Sequence, residues 1–330
     1  MQPINGETTV LKLSVIVPSF NLENYIGPCL TSLLTQETTF DFEVIVCDDG
    51  STDNTAAMIS SYTNKFENLK IIFKKQNEGL AKNIQTLISH VSGQYIAYVD
   101  GDDLALPGKL QKQVDYLDHN KSCAIVFHES DMFETKSNFS LKRYTQDYYN
   151  WNHIPKRSTI EHLIRYGTYM QASSVMFRNH KKIYATIPHN YEIILDYPFY
   201  INNAGYLNAN IDFIPEVLGR YRVHPNSFGS QTRLSTERRL TSLQDMITAC
   251  QSASVFGIKN DVIFQGISQH YYSAALYFLQ RKNFGLFADN IIKSSSYNFF
   301  FDDRHREAWE LRNTPNLAFD ALYPKNVSSS

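Results

Sequence analysis

Cysteine pairs, long apolar runs and an excess of charge of either sign are all missing from this chain. Its four cysteines, Cys29, Cys47, Cys123 and Cys250, lie far apart with no C-x-x-C among them, which excludes a zinc-ribbon or dithiol motif. Cys47 and Cys123 stand inside apolar runs and read as reduced core residues of a cytosolic protein. No apolar run approaches the roughly 18 residues that a membrane-crossing helix needs, and Met1–Thr9 is too polar for a secretory leader. The sequence therefore predicts a cytoplasmic protein that at most rests on the inner face of a membrane. Lys and Arg number 31 against 33 Asp and Glu, so the basic footprint of a nucleic-acid binder is absent too. There is no internal repeat, and low complexity is confined to the Ser328–Ser330 tail.

What the chain does have is an alternation of apolar runs and amphipathic stretches. Strands are predicted at Leu13–Val17, Phe42–Cys47, Leu69–Phe73, Tyr95–Val99 and Ala124–Phe127. Helices are predicted between them at Asn24–Thr35, Asp53–Tyr62, Leu80–Val91 and Pro107–His119. Short βα connections of this kind predict an α/β fold with a mostly parallel sheet and right-handed crossovers. Glu134–Arg157 is polar and aromatic without a period, and reads as a loop over a site in preference to an irregular connection. Ser174–Phe177 and Val217–Val223 read as further strands. From about Ser230 the pattern is helical, at Leu240–Ser254, Val262–Leu279, Gly285–Ile292 and Asp302–Leu311.

The chemistry is concentrated at the ends of the predicted strands. Tyr95–Val99 runs into Asp100-Gly101-Asp102-Asp103, and Asp100 and Asp102 share one side of an extended chain. Two carboxylates there suit a hard divalent cation, which would neutralise a diphosphate; a solvated turn before the next helix is the plainer alternative. The first strand ends in Pro18-Ser19-Phe20-Asn21, where Phe20 offers a ring on which a base could stack. The second ends in Asp48-Asp49, acids able to accept from a pyrimidine N–H or a ribose hydroxyl, with Ser51–Asp53 suited to capping a helix. The third leads to the Asn77–Asn83 turn, whose amides and Lys82 could face phosphate. Open α/β sheets bind ligands at strand ends, so four polar tips point to one shared site.

The blocks Ser14–Asn21, Glu43–Asp53, Asn77-x-Gly79 and Tyr98–Asp103, in this order and spacing, resemble glycosyltransferase family 2 and its GT-A fold. The resemblance covers about residues 10–230. It implies a catalytic domain over 1–230, with a donor-binding half at about 10–128 and an acceptor-binding half at about 129–230, followed by a helical region at 231–330. It also implies an inverting transferase that uses Mn²⁺ or Mg²⁺ and a nucleotide-sugar, most often a UDP-sugar. By motif position Pro18, Phe20, Asn21, Asp48, Asp49 and Asn77 would line the nucleoside pocket. Asp100 and Gly101 would meet the ribose or diphosphate, and Asp102 would ligate the metal, with Asp100 as a further ligand. Lys82 replaces the Arg usual there and keeps the charge without the bidentate fork. The general base would be Asp196, in Ile194–Phe199, with Glu192 as its fallback; Asp196 equally suits a helix cap ahead of Pro198. Arg220–Ser227 is similar to the family's Y-R-x-H-x-x-S run, which implies His224 near the metal and Arg222 at the developing charge. Asp103, Gln171 and Ser173 would border the acceptor.

The resemblance implies a glycan or lipid-linked acceptor, with bacterial surface polysaccharide synthesis as the setting by analogy. Two other classes stay open on the sequence: a nucleotidyltransferase, although the Gly-rich basic loop it needs after the first strand is missing, and a non-catalytic scaffold on the same fold. The apolar stripe of Val262–Leu279 (Phe264, Ile267, Tyr271, Ala275, Phe278) needs a partner. The chain's own core or a second copy suits it better than a membrane. Tyr297–Phe301 with Lys293, Arg304 and Arg306 would suit an anionic surface, but Asp302, Asp303, Glu307 and Glu310 dilute that charge.

Overall fold

A computed structural model describes residues 11–324 apart from Tyr149, His189, Asn226 and Asn298. The readings that fall on those four positions, on Met1–Thr9 and on the Ser328–Ser330 tail lie outside the described residues. The chain divides into two units. One comprises Met1–Thr159, Tyr169–His189 and Asn202–Pro225; the other comprises Ile160–Thr168, Asn190–Ile201 and Asn226–Ser330.

The first unit is built on one sheet. In chain order its elements begin with β1 (Leu13–Ser19), α1 (Ile26–Leu34), β2 (Phe42–Asp48), α2 (Thr55–Ser60), β3 (Leu69–Phe73), α3 (Leu80–Ser89), β4 (Tyr95–Tyr98), β5 (Leu104–Ala105) and α4 (Lys109–His119). The strand order β3-β2-β1-β4 is parallel throughout, with Val15 beside Val44 and Ala97. Val15, Val17, Val44, Val46 and Ala97 form one cluster with Leu30 and Leu33 of α1 and with Leu110, Val114 and Leu117 of α4. Each such side chain taken from water contributes roughly 1.5–3 kcal/mol. Because the strands run in register, their C-terminal tips line up, with Ser19 beside Asp48. This alignment brings separate polar tips to one edge.

Beyond β4 the sheet is mixed. It continues through β6 (Cys123–Glu134), β7 (Ser140–Arg143), β8 (Arg157–Ser158), β9 (Val175–Arg178) and β10 (Asn210–Val223), in the order β4-β9-β6-β10-β5. Strand β9 is antiparallel to both β4 and β6. Three corrections belong here. Strand β6 does not stop at Phe127, because each polar residue that follows finds a partner. His128 meets Lys109, Glu129 accepts the amides of Ser130, Thr145 and Gln146, and Asp131 pairs with Arg220. The predicted loop 134–157 contains β7, hydrogen-bonded to β6, and Trp151 packs edge-on against Phe213 with ring centroids 4.8 Å apart. Strand β10 begins seven residues before the predicted Val217 and carries two register shifts between Ile214 and Gly219.

In the order of the chain, the helices that follow β8 are α5 (Ile160–Tyr166), α6 (Ile183–Thr186), α7 (Asp196–Leu207), α8 (Phe228–Leu234), α9 (Thr236–Ser252), α10 (Asn260–Gln280), α11 (Phe284–Ser295), α12 (Asp303–Glu310) and α13 (Pro315–Leu322). Within the second unit α10 packs against α11, α9 and α5. Gly266 permits the approach to α5, since a Cβ there would lie 2.6 Å from the Ile164 carbonyl oxygen. Ile267, Ala275 and Phe278 of the predicted stripe are buried. Phe264 is not: it is 43% exposed and stacks on Tyr297. The face is rotated toward Ile263, Ala274 and Leu279. Phe300 packs on His305 and Trp309, and Phe301 on Tyr166, so these rings have partners inside the unit. Among the described residues no helix is long and apolar enough to cross a membrane.

Candidate active site

The tips of β1 and β2 are tied to one another. Asn21 has φ 52° and accepts the Thr52 amide at 2.8 Å, while its own amide donates to Ser51 Oγ at 2.9 Å. Asp48 is buried and accepts the Ser51 amide and hydroxyl. Asp49 is also buried, and accepts the Gly79 amide at 2.8 Å while its other oxygen meets Lys74 Nζ at 3.0 Å. Lys74 bridges onward to Glu78. These two acids, read from the sequence as ligand-facing, hold the loops around the site. Asn77 is exposed and caps its own turn through the Gly79 amide. Phe20 and Lys82 are exposed beside these tips, and Pro18 is buried.

After β4 the chain turns at Asp100-Gly101-Asp102-Asp103. Gly101 is closely packed: a Cβ there would lie 2.9 Å from Leu22 Cδ1 and 3.0 Å from the Pro18 carbonyl oxygen, so a side chain would have to push Leu22 aside. The three acids have separate surroundings. Asp100 accepts the Tyr98 hydroxyl at 2.6 Å, and its amide donates to Ser173 Oγ at 2.9 Å. Asp103 is fully enclosed and accepts Gln171 Nε2 (2.8 Å), Ser173 Oγ (2.6 Å) and the Arg222 amide (2.8 Å). Burial, and then the charges of Asp102 and Asp100, push its carboxyl well above the usual carboxylate range. Asp103, Gln171 and Ser173, expected at the acceptor side, are thus turned toward one another. In this structure they brace the turn rather than line an open surface.

Asp102 is more open. Its Oδ2 lies 2.9 Å from His224 Nε2, and its carbonyl accepts Arg222 Nε at 2.7 Å. The Arg222 guanidinium lies between the rings of Tyr25 (5.0 Å) and Phe133 (4.6 Å), and Tyr25 also rests on His224 at 4.6 Å. Burial lowers the Arg222 pKa against the opposing pull of Asp102 and Asp103. Beneath the turn is a cation that the sequence reading missed. Lys109 is buried, and its Nζ meets Gln113 Oε1 (2.9 Å), His128 Nε2 (2.8 Å) and the Ser173 carbonyl (3.0 Å). Desolvation brings its pKa down to about 7, and burial with the Lys109 charge depresses His128 well below the usual imidazole value.

The model of glycosyl transferase family 2 matches residues 14–185 of this chain. The chain belongs to glycosyltransferase family 2. An uncharacterised protein of Mycobacterium tuberculosis is 29% identical over 218 residues, 64% of this chain and 59% of its own length. The chain therefore spans about three fifths of that relative. The putative teichuronic acid biosynthesis glycosyltransferase TuaG of Bacillus subtilis is 33% identical over 115 residues, 35% of this chain and 45% of that protein. The crystal structure of S. aureus TarS 1-349 in complex with UDP-GlcNAc superposes with a TM-score of 0.62 at 19% identity, covering 94% of this chain and 89% of that one. That likeness shows the GT-A fold, with C-terminal helices following the sheet.

In this member of glycosyltransferase family 2 the side chains that could hold a metal form an open set. Among the described residues no three His, Cys, Asp or Glu side chains converge as a closed cage. Asp102 Oδ2 and His224 Nε2 do face each other at 2.9 Å, an oxygen and a nitrogen that would take two positions around Mn²⁺ or Mg²⁺. Asp196 and Glu192 belong to the second unit. There Asp196 opens α7, is half-buried, and accepts the Tyr197 amide at 2.8 Å; burial raises its carboxyl pKa. Glu192 is exposed. The sequence did not single out Tyr25, Tyr98 or Phe133. Tyr98 alone carried a signal, standing two residues before Asp100 and so on the same side of the strand.

Proposed function

We propose that this chain transfers a sugar from a nucleoside-diphosphate sugar, in the first instance a UDP-sugar, to a hydroxyl of a glycan or glycoconjugate, with inversion at the anomeric carbon. The observation that carries this reading is the Asp102–His224 pair at 2.9 Å, at the turn that Asp100 opens and to whose Asp102 carbonyl Arg222 donates. TarS structures containing UDP-GlcNAc and UDP support the donor class. The name of TuaG supports a surface polysaccharide as the setting. Membership of a glycosyltransferase family leaves the nucleotidyltransferase reading without support.

Each residue then has a task. Phe20 stacks on the base, and Asn77 and the Asp49-held Gly79 turn flank the nucleoside. Arg222, held by the Asp102 carbonyl and fixed by two rings, and Lys82 offset the negative charge that grows on the departing diphosphate. A divalent cation held by Asp102 and His224, with Asp100 alongside, would supply further positive charge there. Asp196 takes the proton from the acceptor hydroxyl as it attacks the anomeric carbon, and its raised pKa suits that work better than exposed Glu192 would.

Titration calorimetry with UDP tests the site. Binding is expected to be at least about tenfold tighter with Mn²⁺ than with EDTA, and the Mn²⁺ dependence is expected to vanish in Asp102→Ala with little change in melting temperature. UDP binding that ignores both metal and substitution would refute the metal assignment, and no UDP binding at all would favour the scaffold reading. For the base, Asp196→Asn is expected to cut kcat by ~10²–10⁴ while UDP affinity stays within a few-fold. Lost UDP binding would instead move Asp196 into the donor pocket and make Glu192 the base.

A further inference from the structure

The segment leading into Asp196 is held by a carboxylate from the C-terminal helices. Asp245, in the middle of α9 and buried, accepts three successive backbone amides on Oδ2: Glu192 at 3.2 Å, Ile193 at 2.7 Å and Ile194 at 2.9 Å. On the other side of Asp196, the buried Tyr197 hydroxyl lies 3.3 Å from the Leu163 carbonyl oxygen, 3.3 Å from Cys250 Sγ and 3.4 Å from His270 Nε2. All of these groups belong to the second unit. The side chains of Ile193 and Leu195 are buried as well.

Apolar packing of Ile193 and Leu195 would by itself keep this segment against the helices. It would not fix the direction in which the backbone enters α7. Three N–H groups converging on one anion do fix it, because charge-assisted hydrogen bonds are short and directional. Burying the Asp245 charge carries a desolvation cost, and the three amides offset it. One turn further along α9, Cys250 helps to fix Tyr197, the residue after Asp196. The residue between these two anchors, Asp196, accepts the Tyr197 amide on one carboxylate oxygen.

We propose that Asp245 is a positioning residue for the base: it sets the backbone from which Asp196 projects, so that part of the catalytic geometry is supplied by α9, outside the span of the family model. This rests on the reading of Asp196 as base. Misplacement of a catalytic group by about 1 Å costs on the order of 10²-fold in rate, so a loosened 192–194 segment should act on turnover and spare nucleotide binding.

The test combines two substitutions, Asp245→Asn and Asp196→Asn, singly and together. Turnover is read as UDP release from a panel of UDP-glucose, UDP-galactose and UDP-GlcNAc, and affinity as the Kd for UDP with Mn²⁺. Asp245→Asn is expected to lower kcat by roughly 10- to 100-fold with UDP affinity within a few-fold, and to cost nothing further in the Asp196→Asn background. A merely structural role would lower activity by the same factor in both backgrounds, and that result overturns the proposal. So does an unchanged kcat in Asp245→Asn when Asp196→Asn is inactive. If Asp196→Asn keeps wild-type turnover, the base reading fails first and the proposal falls with it. Should Asp245→Asn not fold, hydrogen exchange on the wild-type protein decides: slow exchange across residues 192–194 supports the proposal, and exchange at the rate of an open loop overturns it.

Discussion

Lys109 shows what the site asks of single residues. Its ammonium is out of water, held by Gln113, His128 and the Ser173 carbonyl, below a turn that carries three acids. Its pKa is brought down to about 7 from an ordinary 10.5, so between those values the unfolded chain binds a proton that the folded chain does not. Stability contributed by this group therefore rises as pH climbs from about 7 to about 10.5, at roughly 1.4 kcal/mol per unit of pH. Lys109→Met removes that slope. Chemical denaturation of both proteins is expected to show the wild type gaining on the variant across that window, and parallel curves would mean that Lys109 stays charged in the fold. The strand-end acids stood out in the sequence as polar residues closing apolar runs, whereas His224 was marked only by the family resemblance. Lys109 was not legible, since a lysine one residue after a helix-starting Gly reads as exposed and only tertiary contact shows it buried. Tyr25 and Phe133 were hidden for the same reason: a ring beside a guanidinium leaves no trace in local sequence.

At the scale of elements, the parallel strands were legible because both faces of β1, β2 and β4 are covered, which leaves nearly unbroken apolar runs. Strand β6 shows where this stops. Its second half, His128-Glu129-Ser130-Asp131, is as buried as Ala124–Phe127, but the partners that permit this come from α4, the 144–146 turn and β10. Residues distant in sequence satisfy those polar groups, so a period-based reading ends the strand where the structure does not. Strand β7 was missed for a related reason: all four of its residues are exposed, and pairing with β6 alone makes it a strand. The predicted stripe on α10 was displaced around the helix because that helix is covered by α5 and α9 as well as α11, which buries more than one face. The turn of acids after β4 stands between these cases. The sequence marked it, yet only the contacts separate the enclosed Asp103 from Asp102, which faces His224.

At the scale of the whole molecule, the division of the chain does not follow a single cut. Residues 160–168 and 190–201 belong with the C-terminal helices, although both lie within the span read from the sequence as catalytic. Leu163 and Ile164 of α5 are fully buried, and Ile164 backs directly onto Gly266 of α10. Tyr197 is enclosed by Cys250 and His270. Ending the chain after Ser230 would remove α9 through α13 and leave these side chains without their cover, and each newly bared one forfeits roughly 1.5–3 kcal/mol. It would also remove Asp245 and so release the 192–194 amides. The 1–230 fragment is therefore expected to be insoluble, or soluble only with strong binding of a hydrophobic dye and without turnover. Because UDP binding is assigned to residues of the first unit, any soluble fraction should still bind UDP with Mn²⁺ while releasing none from a UDP-sugar. A monomeric, dye-silent and fully active fragment would show that the C-terminal helices are an independent module, and would remove the reason to count α9 among the parts that build the active site.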